Sequence, residues 1–185
     1  IYLEASISGL SATVMASLLV ITLTLVHAFS HAASGGVQSV FTVLKVLLII
    51  LFVGLVAFSV ENPQPVTLLP AAGDGTLLIS SAFAVSLIYV NYAYTGWNAA
   101  TYIINEVEEP QRSMPVILFT GTATVLVLYL LLNYTFLYAA PMAEMTGKIE
   151  IGVIVAQFAF GETGGMIMGI VLATLLISTV SAMVI

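Results

Sequence analysis

Long apolar runs alternate with short polar interruptions along this chain, and the lengths of the runs carry the first inference. Leu10 to Phe29 holds 20 residues without a formal charge, and at about 1.5 Å of rise per residue such a helix covers the roughly 30 Å of a bilayer's hydrocarbon. Its Ser and Thr content (Ser11, Thr13, Ser17, Thr22, Thr24) suits a helix packed against protein more than one bathed in lipid. Ile1 to Ser8, with Glu4, leads into it. Ser34-Gly35-Gly36 marks a loop over Ser30 to Gly36, and Val37 to Val60 follows as a second span. Glu61 to Thr76 is turn-rich, with Pro63, Pro65, Pro70 and Gly73-Asp74-Gly75. Leu77 to Ile104 then gives about 28 residues, more than one straight crossing needs, so tilt or a break is expected. Helical character falters at Tyr92-Ala93-Tyr94-Thr95-Gly96 and resumes at Trp97-Asn98. Glu106 to Ser113 returns the chain, with Ser113 placed to cap the next helix and Pro115 in its first turn. Val116 to Ala139 is the fourth span. In the connection Pro141 to Gly165 the run IGVIVAQFAF is too short to cross, and a re-entrant or surface-lying helix fits it. Met166 to Ile185 opens a fifth span.

The expectation is an all-α, polytopic membrane domain over residues 1–185, with spans at about 10–29, 37–60, 77–104 (broken near 92–96), 116–139 and 166–185. Composition agrees: 61% of residues are hydrophobic and 6% charged, too few charges for a solvated shell. A net charge of −6 with three basic residues excludes nucleic-acid binding through phosphate contacts. Without cysteine there is neither a disulfide framework nor a thiolate metal site. The first residue is not Met and Ile1 to Phe29 lacks a basic leader, so the chain reads as an interior piece of something longer. Arg112 and Lys148 fall on opposite sides, which leaves the positive-inside rule tied.

Three features bear on chemistry. A helix stopping near Tyr92 leaves carbonyls that favour a cation, and a half-helix starting near Trp97 presents N–H groups that favour an anion, so a small zwitterion suits both. The other reading of the stretch is an unbroken tilted helix with an aromatic belt at Tyr89, Tyr92, Tyr94 and Trp97. Lys45 lies eight residues past Val37, about 12 Å of rise. An ionisable group so deep is a functional candidate, with snorkelling toward the headgroups as its bland counterpart. His27 and His31 share a helical spacing but have no third ligand near, and Glu106, Glu108 and Glu109 read as a solvated loop rather than a metal set. No nucleophile and base occur in a catalytic pattern, so no enzyme, metal or cofactor is expected.

The segment YAYTGWNAATYIINEVEEPQRSMP resembles the sixth transmembrane helix and following loop of the amino acid-polyamine-organocation permeases, especially their L-type amino acid transporter branch. There an aromatic, a small residue, an aromatic and a glycine pair precede Trp-Asn, and an acidic residue and a Pro-x-Arg/Lys-x-x-Pro run follow. QSVFTVLKVLLII is similar to that branch's fifth helix. The resemblance covers the chain as helices four to eight of a twelve-helix, inverted-repeat carrier, with the helix-six region and Lys45 as its specific parts.

That resemblance implies a substrate site at Val90, Tyr92, Ala93, Tyr94, Thr95, Gly96 and Asn98. Tyr92 would be the gating aromatic, the backbone from Val90 through Tyr94 would receive the substrate amino group, and Asn98 would line the site. Thr95 departs from the family's usual glycine and should narrow the site against bulky aromatic substrates. Lys45 matches a lysine that stands, in sodium-independent relatives, where sodium-coupled members bind their ion. It implies proton or counter-substrate coupling, with Ser178 and Ser181 as partners from helix eight. The implied function is alternating-access transport of small or medium neutral amino acids across the plasma membrane, with Ser30 to Gly36 and Glu106 to Ser113 cytoplasmic. Polyamines suit the visible intramembrane part less, since it offers a cation and no acidic counter-charge. A membrane scaffold or sensor retaining the carrier fold is the rival reading. An accessory subunit is not legible in the sequence.

Overall fold

Hydrocarbon offers the backbone no hydrogen-bonding partner, so apolar runs of this length close their bonds internally as helices. The structure, a computed structural model, describes residues 11–29, 31–102 and 104–184; Ile1 to Ser8 lies outside the described residues. The helices are α1 (Ala12–Phe29), α2 (His31–Ser59), α3 (Asp74–Leu78), α4 (Ser81–Ala93), α5 (Pro110–Ala139), α6 (Met142–Met145) and α7 (Ile151–Val184). Two 3-10 segments, Thr95–Thr101 and Ile104–Glu106, lie between α4 and α5. Among the described residues there is no strand, and the fold is all-α.

Three stretches of the described residues, Gln38–Ser59, Pro110–Ala139 and Ile151–Ser181, are long and apolar enough to cross a membrane. They keep large apolar side chains such as Leu47, Leu51, Val127, Leu130, Ile167 and Ile170 exposed, as suits an integral membrane chain whose solvent is hydrocarbon.

Several boundaries differ from expectation. The loop over Ser30 to Gly36 is helical from His31 onward; glycine lowers helix propensity by only about 1 kcal/mol, which Ala32, Ala33 and the long apolar continuation outweigh. Ser30 lies outside the described residues, as do the side chains of His27 and His31. Helix α5 starts at Pro110, six residues before the expected Val116, because proline's fixed φ suits a first helical position. Ser113 is therefore not the cap, and its hydroxyl donates back to Glu108 O at 2.9 Å. The expected third span is divided: Ser80 caps α4 by accepting from the Phe83 N–H at 3.2 Å, and α4 is 13 residues long. Alone it rises about 20 Å; with the seven residues of Thr95–Thr101 laid end to end it reaches about 33 Å.

Residues 1–64 and 132–185 form one compact unit and residues 65–131 another. In the first, α7 packs on α1 and α2, and Phe52, Val56, Ala139, Ala140, Met145, Val155 and Ala156 make the core. Alanines at three of these positions let backbones approach closely. Helix α7 is interrupted at Gly161, whose φ of 74° and ψ of −173° are non-helical. IGVIVAQFAF is thus a separate helical piece, and the run after it begins at 162, earlier than the expected Met166. The second unit holds α3, α4, the 3-10 segments and the first part of α5.

Candidate functional site

The α-helical ladder of α4 ends at Ala93. Tyr94, at φ −103° and ψ 8°, lies in the bridge region, and its N–H donates to Asn91 O at 3.0 Å. Thr95 is β-branched and Gly96 a weak helix former, so the tighter 3-10 winding follows where α-helical propensity is least.

Three residues per turn stack positions i and i+3, and the segment therefore has distinct faces. Tyr94, Trp97 and Ala100 line a cleft of about 390 Å³ against Gly121, Thr122, Val125 and Tyr129 of α5. The Tyr94 and Tyr129 rings meet edge to face at 5.2 Å and 66°. Tyr92, Thr95, Asn98 and Thr101, also three apart, are exposed. This second stripe is polar: Asn98 Nδ2 donates to the Tyr102 hydroxyl at 3.3 Å, and the Thr101 hydroxyl to Asn98 O at 2.6 Å.

The last carbonyls of α4 carry side-chain donors. The Thr95 hydroxyl donates to Tyr92 O at 2.8 Å, and the Tyr129 hydroxyl to Ala93 O at 3.3 Å. Val90 sits inside α4, one turn before its end, so the non-α stretch is displaced toward the C-terminus relative to Val90 through Tyr94. Gly96 does not use its backbone freedom: its φ is not left-handed, and a Cβ there would meet nothing within 4 Å. Tyr129 was missed by sequence reasoning, although Leu118, Gly121, Thr122, Val125 and Tyr129 fall at helical spacing on one face.

Lys45 lies fourteen residues from each end of α2, which spans residues 31 to 59. It is half-buried, and its ammonium donates to the Thr179 hydroxyl at 3.2 Å, which in turn donates to Leu175 O at 3.0 Å. The hydroxyl met by Lys45 is thus Thr179, not the expected Ser178. Ser178 is 2% exposed, and its Oγ has no hydrogen-bond partner among the described residues. Ser181 is half-buried one turn further on. Adjacent residues on a helix face about 100° apart, so sequence could not say which of Ser178 and Thr179 points at Lys45. The two sets of residues belong to different compact units. Among the described residues no group of three metal-ligating side chains occurs.

A family model described as amino acid permease matches residues 4–185. Among curated proteins, the chain is similar to the b(0,+)-type amino acid transporter 1 of Mus musculus, 32% identical over 135 residues, 71% of this chain and 27% of that protein. The rat protein of that name, from Rattus norvegicus, is 31% identical over 127 residues, covering 66% of this chain and 25% of its own length. Solute carrier family 7 member 12 of Mus musculus is 30% identical over 142 residues, 72% of this chain and 30% of that protein. The chain thus spans 25 to 30% of the length of these relatives. No solved structure matches at comparable significance.

Proposed function

Because this chain belongs to the amino acid permease family, we propose that the full-length protein carries amino acids across a membrane by alternating access, without covalent chemistry. The observation that carries this reading is the loss of the α-helical ladder at Tyr94, which leaves Tyr92 O and Ala93 O at a helix end beside the polar stripe Tyr92, Thr95 and Asn98. Helix-end carbonyls suit an ammonium, and an exposed carboxamide and hydroxyl suit a polar ligand. Substrate binding there would bias inward- and outward-facing populations, and transport would follow from their interconversion.

The preferred substrate is a small or medium neutral amino acid. Thr95 fills space that glycine would leave, and none of the substrate-site residues named above bears a charge. Transport is proposed to be sodium-independent, with Lys45 supplying the positive charge that a coupled cation brings elsewhere.

The test is a thermal-shift screen of the full-length protein against amino acids and polyamines. A true substrate at a hundredfold excess over Kd should add about 2.7 kcal/mol of stability. A rise in Tm with a neutral amino acid and none with polyamines is expected; no shift with any amino acid favours the scaffold reading. Asn98→Ala should raise KM for that substrate about 3- to 10-fold, the worth of one or two polar contacts, and an unchanged KM would remove Asn98 from the site.

A further inference from the structure

Many Thr hydroxyls in this chain bond backward along their own helix, as Thr22 does to Leu18 O and Thr124 to Thr120 O. Those acceptors lie in continuous α-helix. The acceptors of Thr95 and Tyr129 are different, because Tyr92 O and Ala93 O are the last two carbonyls before the winding changes at Tyr94. Two hydroxyls from two separate elements, the 3-10 segment and α5, converge on adjacent helix-end carbonyls.

Both bonds lie at exposed positions of this chain, and Tyr92 O also accepts from the Tyr94 N–H; within a membrane, further donors on such helix-end oxygens stabilise an empty carrier. We infer that the Thr95 and Tyr129 hydroxyls are internal place-holders: they occupy Tyr92 O and Ala93 O while the site is empty and yield them to the substrate ammonium. The inference rests on the transport reading above and adds a self-capping step to it.

The geometry fits a partner that must be displaced. At 3.3 Å the Tyr129 bond is longer than the roughly 2.7–2.8 Å usual for hydroxyl donors, so it is weak and easily exchanged. Its ring is nevertheless held at the site by the edge contact with Tyr94. Thr95 needs only rotation about χ1 to release Tyr92 O. An ammonium makes charge-assisted bonds, roughly twice as strong as those of a neutral hydroxyl. The substrate therefore wins the carbonyls when present and loses them to the hydroxyls on leaving. Release is assisted because the hydroxyls return to the oxygens as the substrate departs.

The sign of the expected effect separates this role from a structural one. Damage to a binding site raises Kd, whereas removing a competitor lowers it. In the full-length protein reconstituted in liposomes, with L-leucine as probe, Thr95→Val and Tyr129→Phe should each lower Kd about 3- to 10-fold. Both variants preserve side-chain shape. Maximal uptake should fall in step, because tighter complexes dissociate more slowly. Thr95→Ser, which retains the hydroxyl, should keep the wild-type Kd.

An unchanged or raised Kd in both Thr95→Val and Tyr129→Phe, with wild type still binding L-leucine, overturns the place-holder role and leaves the transport reading standing. Failure of wild type to bind L-leucine or any other neutral amino acid overturns both. If Tyr129→Phe does not fold, Thr95→Val alone decides, since its exposed side chain carries no packing load.

Discussion

Lys45→Met in the full-length protein is expected to lower sodium-free amino acid uptake at least about tenfold, a loss of some 1.4 kcal/mol of coupling or more, while the amount of folded protein stays the same. Two physical effects support the expectation. Methionine keeps the length of the side chain but removes a charge placed seven residues inside the apolar stretch Gln38–Ser59, about 10 Å from its start. Nothing in helix formation requires that charge, and removing an ammonium from an apolar span relieves desolvation rather than creating it. The substitution also deletes the hydrogen bond from Lys45 to the Thr179 hydroxyl, which joins α2 to α7. That bond draws the ammonium sideways onto a neighbouring helix, where a snorkelling lysine would extend along its own. Uptake into liposomes with choline replacing sodium checks the loss, and Tm checks the fold. Wild-type uptake that requires sodium, or uptake unaltered by Lys45→Met, contradicts the role given to this residue. Thr179→Val should produce a smaller decrease, because the charge remains and only its tether goes.

Gly161→Ala destabilises the protein by about 1–3 kcal/mol, visible as a fall in Tm and in the yield of monodisperse protein. At φ 74° and ψ −173° the backbone of Gly161 occupies a region that is essentially closed to residues with a Cβ. Space is not the constraint, since a Cβ at Gly161 would meet nothing within 4 Å; it is the neighbouring Gly164 whose Cβ would meet Phe160 Cβ and, at 3.0 Å, the Ala156 carbonyl. At position 161 glycine is required for conformation alone. Gly96→Ala is the informative contrast. Its φ is not left-handed and open space lies where a Cβ would go, so its stability should match or slightly exceed wild type, by up to about 1 kcal/mol. A drop in Tm for Gly96→Ala equal to that for Gly161→Ala would contradict this division between the two glycines.

Why one of these glycines was legible and the other was not is instructive. Gly96 is conspicuous because it stands among large aromatics in a motif shared with a transporter family. Gly161 stands in Phe-Gly-Glu-Thr-Gly-Gly, where any of three glycines could have been the turning point and only the backbone dihedrals tell them apart. The class of fold was legible because it follows from run length and charge content, quantities that tertiary contacts do not override. Helix ends were less legible. Pro110, read as loop, starts α5, since a proline can serve as a breaker or as a first residue and the sequence carries both meanings. Tyr129 was invisible for a different reason: its role depends on a helix 36 residues away in sequence. A stripe of small residues leading up to a tyrosine says that something packs there, without saying what. Lys45 stood out from composition alone, because a lone cation in an apolar run is conspicuous. Its partner did not, because Ser178 and Thr179 are equally hydroxylic neighbours.

The winding of Thr95–Thr101 has a mechanical corollary. A 3-10 coil is overwound and stretched relative to an α-helix, by about 0.5 Å and about 20° for every residue. If these seven residues relaxed to α-helical pitch, the segment would contract by about 3.5 Å and its far end would swivel by about 140°. Asn98, midway along, would travel through about half that arc. A spring of two turns is therefore enough to swing a carboxamide through about 70°, with the backbone torsions of a single short segment as the only moving part.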